Sequence, residues 1–241
     1  MGKRKANYGI DAPMVIGTLF FLAFVSLGSA LYFYRMADSL LFWFLFIDAF
    51  LTGISLFAAG CWMVYGIKIA KPKIIGQMVQ NLKLAGDEKV LDLGCGRGIL
   101  LCEVAKNLPR GEVVGIDLWS AQDQSGNSPK KTLENADLEG VKERISVHTG
   151  DIRALPFPDN TFDVALSSLC LHNIEDRAGR EQALREMVRI LKPGGKFAIA
   201  DIRRAKEYQE FLSLQGIKVY SSGPLYSYCP PITILEGCKL S

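Results

Sequence analysis

The residues best equipped for chemistry in this chain lie in one stretch, Val90-Leu91-Asp92-Leu93-Gly94-Cys95-Gly96-Arg97-Gly98. Val90, Leu91 and Leu93 read as a short buried strand. Gly94, Gly96 and Gly98 then remove every second side chain. Glycine opens dihedrals closed to other residues and lets the backbone pass close to a ligand. Ile99 to Ala105 follows with helix-forming character. A strand, a glycine turn and a helix N-terminus make a corner suited to a nucleotide-type ligand. A G-x-G pair alone equally marks a tight turn with no ligand. The next strand, Gly111 to Asp117, adds weight because it ends in an acid. That acid lies about 20 residues beyond the glycines, where a ribose hydroxyl needs an acceptor.

Two cofactors suit such a corner. A dinucleotide fold prefers G-x-G-x-x-G, and Ile99 stands where its last glycine belongs. The pattern is instead D-x-G-x-G-x-G. It closely resembles motif I of the class I S-adenosylmethionine-dependent methyltransferases. The downstream chain extends the likeness. Gly150-Asp151-Ile152 follows a short third strand, Ile145 to His148, and Leu155 to Ser167 resembles the run into the fourth strand. Leu191-Lys192-Pro193-Gly194-Gly195 leads into a fifth, Lys196 to Asp201. The resemblance covers residues 74 to 239 and is strongest towards the quinone and small-lipid methyltransferases. It implies an α/β, Rossmann-like domain with a seven-stranded mixed sheet in the order 3-2-1-4-5-7-6 and helices on both faces. S-adenosylmethionine is the implied cofactor.

The same resemblance assigns roles. Gly94, Cys95, Gly96 and Gly98 would border the methionine and ribose side, and Asp92 would orient the amino end. Asp117 would hold the ribose hydroxyls, with Leu118 and Trp119 beside it; Trp119 suits the adenine or a rim position equally. Asp151 would accept from the adenine amino group and Ile152 would pack by the ring, unless Asp151 only makes a turn with Gly150. Ser167 and Ser168 would close the cofactor side at the fourth strand's end. His172, just beyond, is the base candidate, and Asn173 would orient acceptor or cofactor. The bland reading has His172 bonding a loop, and His148 is structural. A sulfonium already carries its leaving group, so alignment does most of the work and no metal is required.

These residues need elements to hold them. Arg177 to Leu191 is a helix with Asp176 as its N-cap, and Pro129 to Leu138 is another. Gly216 to Tyr220 and Ile232 to Lys239 read as a closing strand pair, joined by a link containing Tyr226, Tyr228, Pro230 and Pro231. Pro72 to Leu84 reads as a helix with Ile74, Ile75, Met78, Val79 and Leu82 near one face.

Ahead of them the chain is strongly apolar. Of 241 residues 49% are hydrophobic, and the surplus lies before residue 68. Met14 to Tyr34 runs without a charge, and Leu40 to Ile67 is interrupted only by Asp48. Both are long enough to cross a bilayer. Lys3, Arg4 and Lys5 flank one outer end and Lys68, Lys71 and Lys73 the other, while the link carries only Arg35 and Asp38. The positive-inside rule makes this a two-span hairpin with both termini and the catalytic domain cytoplasmic. The expected division is therefore an anchor over 1–70 and a methyltransferase domain over 71–241. A cleaved signal peptide is disfavoured by the length of the first run and the want of a small-x-small site. Asp48 reads as a helix-packing or water-exposed carboxylate. The six cysteines form no C-x-x-C pair, which gives neither a zinc site nor a disulfide framework. A net charge of +3 is too small to point to nucleic acid. The expected acceptor is a small molecule or lipid at the membrane. The competing readings are a nicotinamide-dependent oxidoreductase and a non-catalytic cofactor-binding scaffold.

Overall fold

The computed structural model describes residues 5–120 and 124–240. Lys3 and Arg4 of the basic N-terminal cluster and Ala121-Gln122-Asp123 of the polar loop lie outside the described residues. The sheet is built around β1 (Lys89–Leu93), which pairs in parallel with β2 (Glu112–Asp117) on one side and β4 (Phe162–Ser168) on the other. β3 (Ile145–Thr149) extends it beyond β2, and β5 (Leu191–Asp201) beyond β4. β6 (Val219–Leu225) and β7 (Ile232–Cys238) close it as an antiparallel pair. The order is β3-β2-β1-β4-β5-β7-β6, as the resemblance implied.

Parallel strands are buried on both faces, so they read as near-continuous apolar runs. Alternate residues serve opposite sides. Val90, Val113, Val164 and Ala198 belong to one core cluster. Leu91, Leu93, Ala165, Phe197 and Ile199 belong to the other. The first cluster also holds residues of α3 (Lys71–Asn81) and α4 (Ile99–Lys106). The second holds residues of α6 (Arg177–Ile190) and α7 (Ala205–Leu214). α5 (Pro129–Leu138) is capped by the Ser128 hydroxyl, which accepts from the Lys131 N–H. Leu191-Lys192-Pro193-Gly194-Gly195 stops α6 and passes through a register shift before β5 settles against β4 from Lys196.

α1 (Pro13–Arg35) and α2 (Leu40–Tyr65) form a close antiparallel pair. Ile16, Ala23 and Ala30 are buried at heptad spacing on α1, as are Gly53 and Gly60 on α2. A side chain at Gly53 would strike Leu27, and one at Gly60 would strike Phe20. Small residues in a heptad seam allow this approach. Asp48 lies on the exposed surface of α2.

The sequence places a break between the second apolar run and the helix after it. The structure carries the helix straight through. A π turn, Gly66–Ala70, joins α2 to α3, and the Lys71 N–H donates to Gly66 O across five residues. Pro72 follows at once. Proline lacks an N–H and crowds the carbonyl four residues back, and one wider turn relieves that crowding without ending the helix.

Arg180 ties the helical layer to the loop beyond β4. It is buried in α6, pairs with Glu207 of α7 through Nε (2.8 Å) and Nη2 (3.0 Å), and donates to the carbonyls of Ile174 and Glu175. Removing one member of a buried ion pair strands the other. Arg180→Met should cost about 3 kcal/mol in denaturant unfolding of the full chain. An unchanged midpoint would show that the pair carries none of the fold.

Candidate functional site

The order of strands reverses between β1 and β4, and open α/β sheets bind ligands beyond the strand ends at that point. A cavity of about 630 Å³ opens there. Asp92, Gly94, Cys95, Gly96, Asp117, Leu118, Asp151, Ile152, Ser168, His172 and Asn173 all line it. Four stretches separated in sequence are thus brought into one crevice. Three expected residues are not in its wall. Gly98, at φ +82, forms the N-cap of α4 and packs against Thr132. The Ser167 hydroxyl donates to Leu93 O inside the sheet. Trp119 takes the rim position: its Nε1 donates to Thr149 Oγ1 at 2.8 Å.

Asp92 is the most demanding group. It is 1% exposed, and neither carboxylate oxygen has a hydrogen-bond partner. Burial and the charge of Asp117 push its carboxyl up to about 8, against the opposing pull of Lys71. A buried acid with nothing to receive it suits a ligand bearing a cationic donor. This is the observation that fits the amino end of S-adenosylmethionine to the site.

Asp117 organises the turn opposite. Its Oδ2 accepts from the Gly96 N–H (2.8 Å), and its Oδ1 accepts from the Trp119 N–H (2.6 Å) and Asn127 Nδ2 (3.1 Å). The acid therefore fixes the glycine turn, and ribose hydroxyls would share its remaining acceptor capacity. Gly94 holds φ +74, and a side chain there would collide with Cys170. This glycine is required by backbone shape and packing as well as by any ligand. Asp151 is more engaged than its expected adenine role requires. Arg153 donates to both its oxygens and holds its carboxyl below the usual range.

At the acceptor side, His172 sits in a short helical turn, Leu171–Asn173, after β4. Its Nδ1 lies 2.6 Å from Oδ1 of Asp201, and its backbone N–H donates to Oδ2 of the same acid at 3.1 Å. Asp201 is 1% exposed at the end of β5 and also accepts from the Ile202 N–H and the Tyr208 hydroxyl. Nδ1 itself makes no hydrogen bond in this arrangement, so Asp201 fixes the His172 backbone and sets its carboxylate beside the ring. Sequence reasoning passed over Asp201, although an acid at the carboxyl end of a parallel strand is a signal of its own. It also passed over Asp11, Lys71, Gln124 and Tyr228, which line the same cavity.

The Asp92 environment has a measurable consequence. In the ligand-free fold the carboxyl keeps its proton up to about pH 8, whereas the unfolded chain releases it near pH 4. The folded state then binds more protons between those values, so this group makes stability fall as pH rises through that window. The slope approaches about 1.4 kcal/mol per unit. Asp92→Asn should flatten the pH dependence of the unfolding midpoint there; an unaltered slope would show that Asp92 is not the group responsible.

Comparison with known proteins agrees with this geometry. Residues 91–199 match a family model described as a methyltransferase domain. The demethylmenaquinone methyltransferase of Lactiplantibacillus plantarum is 36% identical over 121 residues, covering 50% of this chain and 47% of the relative. The ubiquinone/menaquinone biosynthesis C-methyltransferase of Pasteurella multocida is 34% identical over 117 residues, covering 48% and 40%. The chain spans about half the length of such curated relatives. Among solved structures, a SAM-dependent methyltransferase from Aquifex aeolicus superposes with a TM-score of 0.55 at 20% identity, covering 68% of this chain and 89% of that one. The [4+2]-cyclase SpnF does so at 0.58 and 20%, covering 70% and 80%. Such distant likenesses show the fold alone, and SpnF, a [4+2]-cyclase, carries a different reaction on it. Family match, sheet order and crevice converge: residues 91–199 match a methyltransferase domain carried on the class I fold, which implies S-adenosylmethionine as cofactor.

Proposed function

We propose that this chain transfers a methyl group from S-adenosylmethionine to a hydrophobic, lipid- or quinone-like acceptor at a membrane, with residues 1–70 as anchor and 71–241 as the catalytic domain. One observation carries the reading. The apolar hairpin runs into the wall of the crevice: Met63, near the end of α2, and Ala12, at the start of α1, line the same cavity as Asp92 and His172. Leu169, Ile202 and Pro230 add apolar side chains to the cavity lining.

The hairpin's outer surface supports the membrane part of the proposal. Phe24 is 80% exposed and Leu40 89%, with Phe21, Leu41, Phe44 and Leu51 also exposed. Little of either apolar segment is buried in the protein, which sets both apart from soluble core helices. Apolar surface left in water costs about 25 cal/mol per Å², and a bilayer removes that cost. At 23 and 26 residues, each helix exceeds a hydrocarbon core of about 30 Å. Lysines at the outer ends of the hairpin favour cytoplasmic termini. The relatives named above for quinone methylation, and a sterol 4-C-methyltransferase of Caenorhabditis elegans at 27% identity, carry names of enzymes acting on apolar molecules.

The bound cofactor supplies a methyl group on a sulfonium leaving group. The residues of this chain then have to bring the acceptor into line and keep water away. An oxygen or nitrogen acceptor must also lose a proton. We assign that step to the His172 ring, with the Asp201 carboxylate beside it to stabilise the charge the ring gains.

Full-length protein in vesicles, given methyl-labelled S-adenosylmethionine and a membrane lipid extract, should move label into the organic phase. Label found only in water-soluble or protein fractions would contradict the acceptor class. With the acceptor identified, His172→Ala should lower turnover by about 10²–10⁴-fold while cofactor affinity stays nearly constant. Asp201→Asn should lower turnover and shift its pH profile. A change below several-fold in His172→Ala returns the ring to a structural role.

A further inference from the structure

The cavity wall contains an ion pair that no step above uses. Lys71 begins α3, where the long apolar helix becomes the first helix against the sheet. It is only 6% exposed, and its Nζ lies 2.8 Å from Asp11 Oδ2. Asp11 stands two residues ahead of α1, so the pair joins the two outer ends of the hairpin. Asp11 also accepts from the Tyr228 hydroxyl (3.0 Å) and from Gln124 Nε2 (3.2 Å). Gln124 Oε1 in turn accepts from the Arg97 N–H within the glycine turn at 2.8 Å. A chain of hydrogen bonds therefore links the hairpin ends to the turn that borders the cofactor.

We propose that Lys71, held in place by Asp11, receives the carboxylate of the cofactor's amino-acid end, while Asp92 receives its ammonium. The inference rests on the cofactor reading given above. A zwitterion needs a cation and an anion across a short span, and this crevice presents a lysine and a carboxyl in one wall. Lys71 is close enough for its charge to act on Asp92. An ammonium carries three N–H donors, of which Asp11 engages one. With S-adenosylmethionine bound, Lys71 faces the ligand carboxylate and Asp92 the ligand ammonium, so each charged end of the ligand meets its opposite. Opposite charges attract more strongly in such a buried site than in water, so this pairing favours the amino-acid-bearing ligand over a bare nucleoside. Asp11 acts through Lys71 and is a positioning residue. The hairpin then completes the cofactor site with its own ends as well as tethering the domain.

The test uses two neutral thioethers that differ only in the amino-acid end, S-adenosylhomocysteine and 5′-methylthioadenosine. Both are titrated by calorimetry into the detergent-solubilised full chain. Lys71→Met should weaken S-adenosylhomocysteine by roughly 10- to 100-fold and leave 5′-methylthioadenosine within about twofold. Lys71→Arg should restore most of the difference. Because Lys71→Met leaves Asp11 without its cation, the double variant Asp11→Asn, Lys71→Met is measured beside it, and the same selective loss is expected. Unchanged S-adenosylhomocysteine affinity, or equal weakening of both ligands in both variants, would overturn the inference and leave the cofactor reading standing. Failure of the unaltered protein to bind either ligand would overturn both.

Discussion

A buried carboxyl group with no protein donor to receive it is among the least favourable things a fold can contain. Asp92 is that group here, and the surrounding structure is arranged around it. It sits on the central strand of the sheet, with β2 on one side and β4 on the other. The alternation of a strand turns its neighbours Leu91 and Leu93 into the opposite core cluster and leaves Asp92 facing the crevice. Burial and the charge of Asp117 push the Asp92 carboxyl up to about 8, which favours the protonated form near neutral pH.

The crevice wall mixes two kinds of side chain. Asp92, Asp117, Asp11 and Lys71 bring charge to it, and Met63, Leu169 and Ile202 bring apolar surface. On the proposed reading a zwitterionic cofactor takes the charged groups and an apolar acceptor the rest. The β4 exit loop, with His172, forms part of the same wall. Arg180 anchors that loop through the carbonyls of Ile174 and Glu175. The position of His172 thus depends on two buried charged groups, Asp201 directly and Arg180 through the loop.

Much of this was legible in the sequence because its signals are local. Glycines at alternate positions after an apolar run mark the turn, and Asp117 at the end of the next strand marks its partner. Asp176 announces α6 by capping it, accepting from the Gly179 N–H. The missed features are those with no local signature. Asp11 meets Lys71 across 60 residues and Tyr228 across 217, and each reads in sequence as an ordinary charged or aromatic residue. The link between β6 and β7 reads as a loop, yet Tyr228 is buried against Gly66 of the π turn. Leu40 to Ile67 and Pro72 to Leu84 read in sequence as separate elements, because the π turn that joins them has no local signature. Trp119, Ser167 and Gly98 adjoin cavity residues in sequence, but their side chains or packing serve the frame. Nearness along the chain did not separate wall from support.

The central claim is that Asp92 waits for the ammonium of S-adenosylmethionine. It is tested most directly by calorimetric titration of that ligand into the full chain at pH 7, in buffers of different ionisation enthalpy. At that pH the ligand-free Asp92 holds a proton, and a cation placed beside it should expel one. The account predicts binding accompanied by release of close to one proton, and loss of that release in Asp92→Asn. Binding with no proton release, or release that survives the substitution, would contradict it.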